Sequence, residues 1–164
     1  MKSLAVGVDL VEIGRVHKVL QRHRERFRSR VFTATEVQLC GDRAPMLAAR
    51  FAAKEATMKA LGTGVRGVGW REIEVLPDRR GKPLLFLYGK ARARAQALGL
   101  TALDVSLSHS REFATATVVG LREEPPEDPQ AERAWLLQRL QTMPTGKQEG
   151  PSHEAPDRRP ITHP

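Results

Sequence analysis

Met46 to Gly64 reads MLAARFAAKEATMKALGTG, and this stretch decides the fold. Alanine and large apolar residues fill it, as in a buried helix, and glycine closes it. At 100° per residue, Leu47, Phe51, Met58 and Leu61 form one apolar stripe. Lys54 falls inside that stripe. Glu55 lies at its edge, with Lys59 one turn on along the same flank. Long charged side chains near a packed surface are costly unless paired, snorkelling or bound to something charged. This helix is therefore the place to look for chemistry.

Working outward to the N-terminus, Leu4 to Val11 alternates as a strand does. Leu4, Val6, Val8 and Leu10 form a bulky face, expected to meet the core. Ala5, Gly7, Asp9 and Val11 form the other, small enough around Asp9 for a backbone or a ligand to approach closely. Ile13 to Phe27 reads as an amphipathic helix, with Ile13, Val16, Leu20, His23 and Phe27 on one face. Arg15, Lys18, Arg22 and Arg26 share another. Between Ile13 and Arg30 seven Lys/Arg stand against one acid, Glu25, in a chain of net charge +8. A solvated basic face is the structural explanation; the functional one is an anionic partner, whether nucleic acid, membrane surface or acidic protein. Within Val31–Cys40, Thr33 and Glu36 form a capping box that opens a short helix. Pro45 suits the first turn of the central helix.

On the other side, Gly62 reads as the helix C-cap. The glycine-rich VRGVGW that follows Gly64 is no phosphate-binding P-loop, since it follows a helix and lacks the Gly-Lys-Ser/Thr end. Ile73–Leu76 and Leu84–Tyr88 make a hairpin around Pro77–Pro83. Lys90–Leu98 is a helix ended by Gly99. Leu103–Ser108 and Phe113–Val119 are two further strands, joined through His109. From Arg122 the composition changes: eight of the eleven prolines lie between Pro125 and Pro164. One or two helical turns are expected within Ala131–Leu140, and a disordered or loosely attached chain elsewhere. The division is thus a domain over 1–121 and a Pro-rich tail over 122–164. A chain of 164 residues fits one such domain. No apolar run approaches the roughly 18 residues of a membrane span, the N-terminus lacks an apolar h-region, and Cys40 is the single cysteine. These features point to the cytoplasm.

Four elements carry polar groups where core residues would be expected: Asp9 on a strand, Arg50, Lys54, Glu55 and Lys59 on the helix, Lys82 in a hairpin turn, and His109 in the last connection. Two carboxylates from different elements can hold one hard cation such as Mg²⁺, which leaves its other positions to water and phosphate. Lysines and a histidine beside it describe a site for a polyphosphate. Each residue alone has a structural explanation. Asp9 could pair with Arg15, and Glu55–Lys59 is a common i, i+4 pair worth about 0.5 kcal/mol or less. His109 in a turn could simply be exposed.

Taken in order, the motifs resemble the holo-[acyl-carrier-protein] synthases, the short bacterial type of 4′-phosphopantetheinyl transferase. They are Gly7-Val-Asp9-Leu-Val-Glu12-Ile-Gly-Arg15, Phe32-Thr33-Ala-Thr-Glu36, Ala49 to Gly64, Gly81-Lys82-Pro83, and Ser106-Leu107-Ser108-His109-Ser110. The resemblance covers Val6 to about Leu121. It implies an α+β fold, 4′-phosphopantetheinyl transferase-like, with a small antiparallel sheet packed on a long central helix and homotrimers with sites between subunits. It implies transfer of phosphopantetheine from coenzyme A to a serine of an apo acyl carrier protein, releasing adenosine 3′,5′-bisphosphate. Asp9 and Glu55 match metal ligands, and Lys59 the lysine near the pyrophosphate. Arg50 and Lys54 match a phosphate-facing pair. Gly81, Lys82 and Pro83 match the turn bordering the nucleotide, and His109 a histidine on the coenzyme A side. The base is Glu55 or a metal-bound water, which the sequence leaves open. An acidic carrier protein suits Arg15, Lys18, Arg22 and Arg26. Two alternatives remain: a transferase serving polyketide or peptide-synthesis carriers, and a nucleic-acid-binding module. The second leaves Asp9 and Glu55 unexplained and has few aromatics for stacking, so the expectation is no nucleic acid and no membrane.

Overall fold

The computed structural model describes residues 2–123 and 129–142. The chain runs β1 (Ser3–Glu12), α1 (Ile13–Val31), α2 (Ala34–Cys40), α3 (Ala44–Ala60), the single turn α4 (Gly64–Gly67), a 3₁₀ turn (Trp70–Glu72), β2 (Ile73–Pro77), β3 (Pro83–Leu87), α5 (Gly89–Ala97), β4 (Leu100–His109) and β5 (Phe113–Arg122). β1, β5 and β4 form an antiparallel sheet in that order, and β2 and β3 form a hairpin. The fold is α+β, with α3 packed across the sheet as expected.

α3 begins with proline in its first turn, and the backbone leaves it through Gly62 at φ 65°. That left-handed conformation is one glycine adopts without steric cost. Thr33 and Glu36 form the anticipated capping box, opening α2.

The faces of β1 are the reverse of what the sequence suggests. Leu4, Val6, Val8 and Leu10 are 65%, 58%, 56% and 63% exposed. The small face packs inward instead. Ala5 joins Ala52, Ala53, Ala56, Ala60 and Ala116 in one buried cluster. The reason is distance: a side chain on Gly7 would place its Cβ 1.9 Å from the Ala56 carbonyl oxygen. Alanines and a glycine let two backbones approach where larger residues would hold them apart. The second departure is in α1, whose helical backbone is broken at His23 (φ −140°, ψ 36°). His23 is exposed rather than part of the apolar face. Beyond the break, Phe27 packs edge-on to Phe32, with ring centroids 5.5 Å apart.

Residues 129–142 are described by themselves. They form α6 (Pro129–Thr142), longer than the one or two turns expected, with the Arg139 guanidinium over the Trp135 ring. The expectation of disorder over 124–128 and 143–164 lies outside the described residues. Among the described residues no helix is long and apolar enough to cross a membrane.

Candidate active site

β1 and α3 carry the central group. Because they pack closely, Asp9 on the strand and Glu55 on the helix meet beside a cleft of about 280 Å³, also lined by Glu12, Arg15, Phe27 and Phe51. Lys59 Nζ donates to Asp9 Oδ1 at 2.8 Å and to the Val8 carbonyl at 2.8 Å. Thus Asp9 pairs with Lys59, not with Arg15. The Glu55 carboxyl holds its proton above the ordinary carboxylate range. Burial is the main cause, followed by the neighbouring Asp9 carboxylate, while Lys59 pulls the other way. Asp9 Oδ2 is buried without a hydrogen-bond donor among the described residues. A buried carboxylate oxygen in that state is costly.

This donor set fits a hard divalent cation. Two carboxylates that repel each other, one with an unmet oxygen, would both gain from a cation between them. No group of three or more His, Cys, Asp or Glu is gathered among the described residues. Asp9 and Glu55 alone would leave the other positions of the ion to water and phosphate.

A second cleft of about 300 Å³ brings together Arg50, Gly81, Pro83 and His109, with Met46 and Pro77 beside them. These four expected residues do converge. Arg50 is 94% buried, and it donates through Nε to the Val75 carbonyl at 3.1 Å and through Nη1 to that of Met46 at 3.3 Å. Lys82 does not join them: its ammonium meets Asp104 at 2.9 Å. The turn itself is organised by Asp78, whose Oδ1 accepts from the backbone N–H of Arg80 and of Lys82.

Lys54 requires a correction. Expected to face phosphate, it is wholly withdrawn from solvent and ion-paired with Glu36 at 2.8 Å. It also donates to the carbonyls of Trp70 and Ile73. Burial lowers its pKa, and Glu36 partly restores it. Glu36 in turn accepts from the N–H groups of Thr33 and Val75. The capping box accounts for Glu36 locally, so nothing in the sequence marks its second partner, Lys54. Trp70, fixed through its carbonyl, stacks on Phe51 with centroids 4.7 Å apart, and Phe51 walls the first cleft.

Arg15, Lys18, Arg22 and Arg26 are all exposed on α1. The break at His23 divides them, leaving three before it and Arg26 after it. Asp42, absent from the sequence reading as a functional residue, bonds Arg24 and Arg28 on the second segment.

The fold belongs to a class of group-transfer enzyme. A family model described as the 4′-phosphopantetheinyl transferase superfamily matches residues 5–118, and the chain belongs to that superfamily. Within it, the similar proteins are holo-[acyl-carrier-protein] synthases. The one from Herpetosiphon aurantiacus is 51% identical over 125 residues, covering 72% of this chain and 98% of that protein. The crystal structure of the Helicobacter pylori synthase in complex with coenzyme A matches with a TM-score of 0.65 and 31% identity, over 70% of this chain and 98% of that one. The coenzyme A complex from Chronobacterium ammoniagenes matches with a TM-score of 0.65 and 36% identity, over 75% and 99%.

Proposed function

We propose that this chain transfers 4′-phosphopantetheine from coenzyme A to a serine of an apo acyl carrier protein. The observation that carries the reading is Asp9 and Glu55 lining one cleft, with Lys59 bonded to Asp9, in a chain of this superfamily. The serine oxygen attacks the pyrophosphate phosphorus that bears the pantetheine arm. A new P–O bond forms, the P–O bond to the nucleotide half breaks, and adenosine 3′,5′-bisphosphate leaves. The acceptor of the serine proton is Glu55 or a water that a bound cation would hold. Lys59 suits the donor that offsets charge growing on the leaving phosphate. Mg²⁺ held by Asp9 and Glu55 would supply fixed positive charge beside the pyrophosphate.

Arg50, Gly81, Pro83 and His109 are proposed to border the nucleotide of coenzyme A, with His109 a donor to its 3′-phosphate. The basic face of Arg15, Lys18, Arg22 and Arg26 would receive the acidic carrier. A homotrimer is proposed to complete the site. Its support is the exposed apolar row of β1, which water would leave uncovered in a monomer. Service to fatty acid synthesis in the cytoplasm is the corresponding cellular reading.

The test is a mass measurement. Incubation of apo carrier protein with the chain, coenzyme A and Mg²⁺ should add the phosphopantetheine mass, and a chelator should stop it. No added mass on fatty-acid, polyketide or peptide-synthesis carriers would overturn the reading, and relative rates among them assign the client.

A further inference from the structure

The basic helix is not one rigid rod. The broken backbone at His23 separates the segment carrying Arg15, Lys18 and Arg22 from the one carrying Arg24 to Val31. On the second segment the cations fall into two groups. At 100° per residue, Arg24 and Arg28 lie on one flank, while Arg26 and Arg30 lie on the opposite side. Phe27 and Val31 turn toward the core between them and Arg28's flank, with Phe27 against Phe32 and Phe51.

Asp42 sits in the connection between α2 and α3 and reaches across to the first flank. Its carboxylate takes Arg24 through Nε at 3.0 Å and through Nη2, and Arg28 through Nη1 at 3.4 Å. Glu25 adds a second contact to Arg28 at 3.5 Å. Arg15, Lys18, Arg22, Arg26 and Arg30 have no ion pair among the described residues. One acid thus joins two arginines on the far side of a backbone break to the connection leading into α3. α3 is the helix that bears Glu55.

We propose that Asp42 is a positioning residue for the carrier protein: it orients the second segment of α1 so that Arg26 and Arg30 face the incoming acidic partner. This rests on the reading of α1 as the carrier-docking face. Asp42 itself touches neither substrate.

The proposal separates from simple electrostatics by sign. Removing an acid from a basic face strengthens attraction to an acidic partner. If Asp42 acts only through its charge, Asp42→Asn lowers the carrier KM. If it positions the segment, the same change raises it.

The experiment compares steady-state kinetics of the full chain, Asp42→Asn, Asp42→Glu and Arg26→Glu, with Mg²⁺, coenzyme A and apo carrier. Amide hydrogen exchange over residues 24–31 is measured in parallel. Asp42→Asn should raise the carrier KM about five-fold, as expected for loss of two partly exposed ion pairs, leave kcat and the coenzyme A KM unchanged, and speed exchange over 24–31. Asp42→Glu should restore the parental values. An unchanged or lowered carrier KM in Asp42→Asn, with Arg26→Glu still raising it, would overturn the positioning role alone. If Arg26→Glu also leaves the carrier KM unchanged, the docking face is elsewhere and the proposal falls with it.

Discussion

Lys54 and Glu36 face each other 2.8 Å apart, both wholly removed from solvent, and together they tie α3 to α2 and to the strand β2. A buried pair of this kind is expensive to break, because the survivor is left as an uncompensated charge. Lys54→Met should therefore cost about 3–5 kcal/mol in urea unfolding. The double variant Glu36→Gln/Lys54→Met should lose clearly less than the sum of its parts. Its coenzyme A affinity should match the parent, since Lys54 is no phosphate ligand. Strictly additive losses would show that the two charges act independently.

Glu55 should reveal itself through stability as well as turnover. Its folded-state pKa lies above the unfolded value, so its contribution to stability is fully present below about pH 4.5 and is lost as pH rises through the folded pKa. Glu55→Gln, fixed in the neutral form, escapes that loss. Without metal it should melt above the parent at neutral pH, with the gap closing as pH falls toward 4.5. Adding Mg²⁺ should raise the parental melting temperature and hardly move that of the variant. Catalysis should be abolished. A variant that melts below the parent at neutral pH would contradict the carboxylate repulsion.

Gly7→Ala tests the contact between β1 and α3. The new methyl would fall 1.9 Å from the Ala56 carbonyl oxygen, a backbone atom that cannot rotate away. Overpacking of this type costs about 1–3 kcal/mol or more, and the shift should impair turnover in whatever remains folded. Gly14→Ala is the control: nothing lies within 4 Å of its added Cβ, and it sits in a helix. It should be neutral or stabilise by about 0.5–1 kcal/mol in thermal unfolding.

The outward row of β1 should govern assembly. Val6→Asp and Val8→Asp place charge at positions 58% and 56% exposed. Neither change should unfold the protomer. Each should shift sedimentation equilibrium from trimer to monomer and reduce turnover with it. A parental protein that sediments as a monomer would remove the support that this face gives to a shared site.

The elements themselves were legible because periodicity, capping residues and glycines are local. Thr33, Glu36, Pro45 and Gly62 each announced a helix boundary through chemistry confined to a few residues. The faces of β1 were not legible in the same way. Asp9 aside, both faces are apolar, and bulk favoured Leu4, Val6, Val8 and Leu10 as core. Only the matching alanines of α3, more than 40 residues away, make the small face the better fit. Lys54 failed for a related reason: a cation within an apolar stripe asks for a partner, but the sequence does not say whether that partner is a ligand or the protein's own Glu36. Asp42 carried no local signal at all, since its arginines lie on another element. Asp9 and Glu55 were legible as candidate cation ligands from their chemistry, and as a matched pair through their place within a longer ordered set of motifs.

The seam of glycine and alanine between β1 and α3 also sets where this enzyme can change. Asp9 stands two residues from Gly7, and Glu55 is the neighbour of Ala56, so the distance between the carboxylates is gauged by a contact with no slack. With carrier docking proposed for α1 and nucleotide binding proposed beside the β2–β3 hairpin, variation that retunes which molecules are accepted would accumulate on those two surfaces. A mutational library aimed at new clients would be best spread over those surfaces, with the seam left untouched as its ruler.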